Sequence, residues 1–318
     1  MLPSVLPTEA DHVPVLADEV LAALAPAPGD TVVDCTFGSG GHARLLLARL
    51  QGEGKLIAID RDPTVTPYFE RLRRGSGAKM RLLHGEFSAV LSQLGTNGVR
   101  ADAILLDLGV SSMQLDRPDR GFSYAADAPL DMRMDPSAER SAREVVNGEG
   151  EGELAAIFRR YGEERYARPI AQAIVRRRAS RSFERSGDLV ATIKEAIPAP
   201  ARFGEGHPAK RVFQALRIEV NDELGALERA LPAALEMLRP HGRLAVISFH
   251  SLEDRTVKRF LRDGEHGCTC PPDFPRCACG ATPSLRAVPR RAIRPSAVEI
   301  ARNPRSASAR LRVGVKVG

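Results

Sequence analysis

The fold of this chain is decided by the stretch Asp34-Cys-Thr-Phe-Gly-Ser-Gly-Gly-His42. Its first residue ends the short apolar segment Thr31–Asp34, which is typical of a buried strand, and its last residue opens His42–Leu50, which carries apolar side chains at helical spacing. A glycine-rich turn lets the backbone approach a ligand closely, and the N-terminus of the next helix presents N–H groups to it. The stretch therefore predicts a strand-turn-helix unit with a ligand-binding turn.

Strands and helices alternate on both sides of this turn. Near-continuous apolar runs predict further strands at residues 55–60, 80–84, 103–107, 242–249 and 311–317. Apolar strands separated by helices are typical of a parallel sheet that is covered on both faces. The sequence therefore predicts an α/β fold with a Rossmann-like, mostly parallel sheet.

The strand pattern is interrupted in the middle of the chain. Helical spacing predicts helices at residues 151–161, 165–179, 187–197 and 208–220. The 318 residues are enough for two domains or for one domain with a large insertion. We therefore predict a sheet domain made of residues 1–113 and 216–318, interrupted by an all-helical insertion at 114–215.

The composition is that of an ordinary globular protein, with 43% hydrophobic and 27% charged residues. The sequence contains no run of about 18 apolar residues and no leader-like N-terminus, so we expect neither a membrane span nor a signal peptide. A cytoplasmic location is the resulting expectation.

Basic residues are concentrated in two places. The net charge is +6, residues 281–318 hold nine arginines and lysines against the single acid Glu299, and a second cluster lies at Arg176–Arg181. Such a distribution favours a polyanionic partner such as nucleic acid, although a solvated surface explains it equally well.

Four of the five cysteines are close together, at Cys268, Cys270, Cys277 and Cys279. Two Cys-x-Cys pairs separated by six residues could form a tetrahedral thiolate site for zinc. The one-residue gap within each pair is uncommon in zinc knuckles, so reduced thiols in a proline-rich loop are the alternative. Zinc at these four cysteines stays a candidate.

The glycine turn fits two cofactor classes. Residues 38–43 satisfy the dinucleotide fingerprint G-x-G-x-x-A, so an NAD-dependent oxidoreductase is the main alternative. An acid after the second strand, Asp60, can hold ribose hydroxyls in either cofactor. Asp34 and Asp107, which end two further strands, favour the cationic S-adenosylmethionine, because dinucleotide folds usually keep an apolar residue at the end of the first strand. We therefore predict an S-adenosylmethionine-dependent methyltransferase.

Several phrases beyond the turn make this prediction more specific. In chain order they are His12-Val-Pro-Val-Leu16, Asp34 to His42, Ile59-Asp-Arg-Asp62, Leu105-Leu-Asp-Leu-Gly-Val-Ser-Ser112, Gln114-Leu-Asp116, Arg120-Gly-Phe-Ser123, Pro129-Leu-Asp-Met-Arg-Met-Asp135, Ile247-Ser-Phe-His-Ser-Leu-Glu-Asp-Arg255 and Asn303-Pro-Arg-Ser306. Together they resemble the motifs of the bacterial 16S ribosomal RNA cytosine-N4 methyltransferases. The resemblance covers the chain from about residue 12 to its end.

The resemblance implies a class I methyltransferase fold with a helical substrate-recognition insertion. The implied reaction transfers a methyl group from S-adenosylmethionine to the N4 amine of a cytidine in the decoding centre of 16S rRNA. The implied partner is 16S rRNA within the small ribosomal subunit, and a homodimer stays open. An RNA-binding module without activity is a further alternative. The implied cofactor contacts are Gly40, Gly41, His42, Asp60, Phe87, Asp107 and Gln114.

The chemistry requires an acceptor for the amine hydrogens. The N4 lone pair of cytosine is delocalised into the ring, and an acceptor would localise it and receive the departing proton. Many amino methyltransferases place Pro-Pro-aromatic after an acid, Asn or Ser here, whereas this chain continues with Leu-Gly-Val-Ser-Ser after Asp107. The candidate acceptors are Asp107, Ser111, Ser112 and the backbone carbonyls of Gly109 and Val110, with His250 and Ser251 as second-rank substrate contacts.

Overall fold

The computed structural model describes residues 14–202, 207–267, 270 and 279–318. The chain divides into two compact units. The sheet unit consists of residues 1–109 and 225–318, and the insertion unit is Val110–Leu224. The insertion unit thus begins at residue 110 instead of the predicted 114, and ends at 224 instead of the predicted 215.

The sheet unit contains a seven-stranded sheet in the order β3-β2-β1-β4-β5-β7-β6. Strands β1 to β5 pair in parallel, and β7 pairs antiparallel with both β5 and β6. The predicted α/β class with a Rossmann-like, mostly parallel sheet is confirmed. The strands are β1 Thr31–Asp34, β2 Lys55–Asp60, β3 Lys79–His84, β4 Ala101–Asp107, β5 Leu238–Ser248, β6 Leu285–Ala287 and β7 Arg310–Lys316.

Helices follow most of the strands and fill the insertion. None of the helices within the described ranges is long and apolar enough to cross a membrane. The α-helices are α1 Ala17–Leu24, α2 Gly41–Leu50, α3 Thr66–Arg74, α4 Phe87–Thr96, α5 Ser112–Leu115, α6 Ala142–Gly148, α7 Glu151–Gly162, α8 Ala167–Arg178, α9 Ser186–Ala196, α10 Ala199–Arg202, α11 Lys210–Asn221, α12 Glu223–Met237, α13 Ser251–His266 and α14 Ala297–Arg302.

The parallel strands of the sheet unit are apolar because both faces of the sheet are buried. All four residues of β1 are buried, and Ile104 and Leu106 of β4 lie in the same core cluster as Val33. The chain order of the strands reverses at the neighbouring pair β1 and β4. Ligands of open α/β sheets bind beyond the carboxyl ends of the strands at such a point, so this edge positions the site.

The insertion unit has its own hydrophobic core, and that core explains why the unit extends to residue 224. Helix α11 contributes Phe213 and Leu216 to this core, so a boundary at residue 215 would cut through a packed helix. The side chain of Asn221 holds the end of α11 in place. Its Oδ1 accepts a hydrogen bond from the Met134 N–H at 2.8 Å, and its Nδ2 donates to the Met132 carbonyl at 2.8 Å.

A substitution at Gly162 tests how closely the insertion core is packed. A Cβ at this position would lie 2.5 Å from the Arg211 carbonyl oxygen of α11, so Gly162→Ala should lower the free energy of unfolding by about 1–3 kcal/mol. Gly152→Ala in the same helix is the matched control, because its Cβ would meet no atom of the described residues within 4 Å. Urea denaturation followed by circular dichroism measures both. Equal stability of the two variants would contradict this packing.

Candidate cofactor and active site

The carboxyl edge of the parallel strands collects the predicted site residues of the sheet unit. Asp34, Asp60 and Asp107 are the last residues of β1, β2 and β4. The predicted Gly40, Gly41 and His42 lie between β1 and the first turn of α2, Phe87 opens α4 after β3, and His250 follows β5 directly. The acids and the glycine turn therefore share one edge of the sheet.

The turn requires glycine at two positions for different reasons. Gly40 has a φ of +83°, and a Cβ there would lie 2.9 Å from the Phe37 ring. At Gly41 a Cβ would lie 2.9 Å from Cγ of Pro14, which packs over the turn. The backbone of the turn is thus close to two side chains, and the start of α2 is held in a conformation that L side chains rarely adopt.

Asp60 fastens the end of β2 to the turn. Its Oδ2 accepts a hydrogen bond from the Gly38 N–H at 2.8 Å, and its Oδ1 accepts one from the Asp62 N–H at 2.9 Å. Burial raises the pKa of this carboxyl group, although these two backbone bonds oppose the rise. One carboxylate therefore orients the turn and keeps further acceptor capacity on both oxygens.

Thr36 joins the ends of β1 and β4, and sequence reasoning gave it no role. Its Oγ1 accepts a hydrogen bond from the Asp107 N–H at 2.7 Å, and its own N–H donates to Asp34 Oδ1 at 3.2 Å. The available signal was a hydroxyl residue two positions after an acid that ends a strand. Thr36 therefore fixes the backbone of Asp107 relative to Asp34.

Four buried polar atoms at this edge have no hydrogen-bond partner among the described residues. They are Asp34 Oδ2, His42 Nε2, Asp107 Oδ1 and His250 Nε2. His42 Nε2 lies 3.5 Å from Asp107 Oδ2, which is within ion-pair distance but longer than a good hydrogen bond. Because buried polar groups are normally hydrogen-bonded, these atoms make this edge a candidate ligand-binding site. Two of the four are carboxylate oxygens, which suit a ligand with donor groups or positive charge.

Burial and mutual charge set the protonation of these groups. Burial raises the pKa of Asp34 to about 7, against the opposing effects of His42 and of the Thr36 bond. Burial alone would lower the pKa of His42. The carboxylate of Asp107, followed by the charges of Asp34 and Glu299, has the larger effect, so the pKa of His42 is raised. The site therefore holds protons readily and attracts positive charge.

Phe87 and His250 have local structural contacts. Phe87 is half-buried and packs against the core cluster of the sheet unit. The His250 side chain caps α13 by accepting from the Glu253 N–H at 3.4 Å, and its Nε2 lies 3.2 Å from Glu253 Oε1 without hydrogen-bonding geometry. The predicted substrate contact at His250 thus competes with a capping role.

Ser111, Ser112 and Gln114 lie in the insertion unit. Gln114 Oε1 accepts a hydrogen bond from the Ser111 N–H at 3.0 Å, and the Gln114 N–H donates to Ser111 Oγ at 3.3 Å. Ser112 is the first residue of α5. Ser111 and Gln114 therefore stabilise the start of this short helix.

The cysteines divide into a buried residue and the predicted zinc set. Burial, and then the charge of Asp34, raises the pKa of the Cys35 thiol well above its ordinary value, so it is an inert thiol. Of the predicted zinc ligands, Cys268 and Cys277 lie outside the described residues.

The protonation of Asp34 yields a test that is independent of function. Because its folded pKa of about 7 exceeds the ordinary 3.8, its contribution to stability is full at low pH and falls as pH rises through about 4 to 7. Asp34→Asn should therefore gain stability relative to the wild type over this range, by at most about 1.4 kcal/mol per pH unit. Urea unfolding of the unliganded proteins between pH 5 and 8 measures this. A difference that does not change with pH would contradict it.

Comparison with known proteins identifies the family. The model of the MraW methylase family matches residues 9–317. The ribosomal RNA small subunit methyltransferase H of Heliobacterium modesticaldum is 52% identical over 309 residues, which are 96% of this chain and 98% of the relative. The protein of the same name from Geobacter sulfurreducens is 50% identical over 309 residues, covering 96% of this chain and 99% of that one.

These matches span both units of the chain. The resemblance that the sequence motifs indicate is confirmed, because the family model and the relatives cover the same residues as those motifs. The chain belongs to the MraW methylase family.

Proposed function

We propose that this chain transfers the methyl group of S-adenosylmethionine to the exocyclic N4 amine of one cytidine in the decoding centre of 16S rRNA. The observation that carries the proposal is a pair of buried carboxylate oxygens beside the glycine turn, Asp34 Oδ2 and Asp107 Oδ1, which have no hydrogen-bond partner in the described part of the chain. Membership of a methylase family and the names of the relatives support it.

The site residues fit this cofactor chemically. S-adenosylmethionine carries an ammonium and a sulfonium, and buried carboxylates at Asp34 and Asp107 suit positive charge. Asp60 keeps acceptor capacity for ribose hydroxyls beside its two backbone bonds. The half-buried Phe87 offers an apolar surface for the adenine, and Gly40, Gly41 and His42 present backbone to the methionine part. Gln114, the remaining cofactor contact that the resemblance implies, belongs to the insertion unit.

The two alternatives fit the site less well. The pyrophosphate of NAD carries two negative charges, which the carboxylates of Asp34 and Asp107 at the turn would repel in a buried setting. The family comparison lends no support to an oxidoreductase. An RNA-binding module without activity would have no use for unsatisfied buried carboxylates, which cost about 1–3 kcal/mol each.

The bound cofactor supplies an electrophilic methyl group. The task of the chain is then to position the amine at about 3–3.5 Å from it and to accept the departing proton. Asp107 fits the acceptor role best, because its Oδ1 is buried without a partner while Thr36 fixes its backbone. Ser111 and Ser112 stay alternative acceptors, and His250 ranks behind them because it caps α13.

Only part of the basic C-terminal segment can contact RNA phosphates. Arg310 and Arg312 both donate to the carboxylate of Asp254, and Lys316 Nζ donates to two backbone carbonyls. These three cations therefore stabilise the sheet unit. The exposed arginines that we assign to phosphate contacts are Arg286, Arg291, Arg294 and Arg302, whereas the exposed Arg290 lies 3.8 Å from Glu265 Oε1.

The arginine cluster of the insertion unit divides in the same way. Arg177 pairs with Asp188 at 2.5 Å, and Arg178 donates to the Val146 carbonyl at 2.7 Å. Arg176 and Arg181 are exposed and available to phosphates. A ribosomal RNA substrate would place the enzyme in the cytoplasm, in agreement with the expectation from the sequence.

Zinc has no part in this proposed reaction. The methyl group of the sulfonium is already electrophilic, so the transfer needs no Lewis acid. A zinc ion at Cys268, Cys270, Cys277 and Cys279 would therefore stabilise their loop structurally.

Mass mapping of modified nucleosides in 16S rRNA tests the function and the substrate together. A strain that lacks this chain should lose N4-methylation at one decoding-centre cytidine, and the wild-type gene should restore it. Asp107→Ala should fail to restore it, whereas Arg71→Gln, an exposed position on α3, should restore it fully. Unchanged N4-methylation in the deletion strain, or loss of a different modification, would overturn the proposal.

A further inference from the structure

His42 and Asp107 form a pair whose geometry suggests a path for the departing proton. His42 Nε2 faces Asp107 Oδ2 at 3.5 Å, and Asp107 Oδ1 has no hydrogen-bond partner among the described residues. We propose that Asp107 takes the proton that leaves the methylated amine and that His42 Nε2 receives it from Asp107. The inference rests on the proposed function and adds a positioning residue, His42, that acts through Asp107.

The fold holds the imidazole of His42 in one place. His42 lies in the first turn of α2, and its side chain is only 7% exposed. Asp107 is fixed from the other side, because its N–H donates to Thr36 Oγ1 at 2.7 Å. The two carboxylate oxygens are thus in different surroundings, with Oδ2 facing the imidazole and Oδ1 left for a ligand.

Charged groups from three elements act on His42. They are Asp107 of β4, Asp34 of β1 and Glu299 of α14, and Glu299 is held by the Leu16 N–H at 2.8 Å. Together they raise the pKa of His42 despite its burial, so the unliganded site favours a proton on this imidazole more than water does. A cationic ligand in the same site would oppose that protonation, because like charges repel strongly where water is excluded.

The reaction itself changes the charge of the site. The N4 lone pair forms the new N–C bond, the C–S bond breaks with its electrons on sulfur, and the amine proton leaves to Asp107. The sulfonium charge disappears in this step, so the opposition to a proton on His42 disappears with it. Once the protonated carboxyl group has turned its O–H from the ligand side toward the imidazole, the proton passes from Asp107 to His42 Nε2. The imidazolium charge then replaces the lost sulfonium charge, so the net charge of the site is unchanged.

An NMR titration of the His42 imidazole tests, without measuring activity, whether the sulfonium charge opposes a proton on His42. The His42 signal should titrate at lower pH with S-adenosylmethionine bound than with S-adenosylhomocysteine, which lacks the sulfonium charge. Asp107→Asn should lower the pKa of His42 in the unliganded protein, and the exposed His266 serves as an internal reference that neither ligand should shift. Identical His42 titrations in the two complexes would overturn the proposal.

Kinetics of His42→Gln separate a proton acceptor from a cofactor contact. We expect kcat to fall about 100-fold, Kd for S-adenosylhomocysteine to stay within about threefold, and the pH–rate profile to lose one ionisation. Asp107→Asn combined with His42→Gln should be no slower than the slower single variant, since both act in one path. His266→Gln is the control with unchanged kcat.

Failure of the proton path and failure of the proposed function give different results. If wild-type enzyme methylates small ribosomal subunits and His42→Gln keeps its kcat, the proton path is wrong and the proposed function stands. If the wild type methylates no subunit, the proposed function fails, while the two NMR titrations still decide whether the His42 proton responds to the sulfonium charge.

Discussion

The structure of the site depends on two carboxylates, the buried Asp34 and the half-buried Asp107, at the ends of neighbouring parallel strands. Strands β1 and β4 are neighbours at the point where the strand order reverses, so their terminal acids share one edge. Thr36 bonds to the carboxylate of Asp34 and to the backbone N–H of Asp107, and one buried oxygen of each carboxylate has no hydrogen-bond partner among the described residues. Burial raises the pKa of Asp34, so its negative charge is costly unless a cation lies nearby, and this supports our proposal that the edge binds a positively charged cofactor.

Much of the sheet was predictable because its strands are buried on both faces. Strands β1 and β2 have the bounds that the apolar runs indicate, since no exposed face interrupts them. Strand β6 was not predicted, because its three residues, Leu285–Ala287, show no apolar strand pattern and are held in the sheet by pairing with β7. The compact insertion unit extends past the predicted residue 215 because Asn221 and the buried face of α11 hold that helix to residues far away in sequence.

The candidate site was predictable only in part. The glycines and the three strand-end acids were visible in the sequence, because both have a fixed place relative to a strand. The contacts of Pro14 with the turn and of Glu299 with Leu16 were not, because they join segments far apart in the chain. The capping role of His250 had a signal in His250-Ser-Leu-Glu253, whose glutamate has the spacing of a capping box.

We propose that these carboxylates make the glycine turn a site for a cationic cofactor and not for a dinucleotide. Calorimetric titration of the purified chain with S-adenosylmethionine and with NAD tests this proposal most directly. We expect saturable binding of S-adenosylmethionine, weakened at least tenfold in Asp34→Asn, and no measurable heat with NAD. Tight binding of NAD together with no binding of S-adenosylmethionine would contradict it.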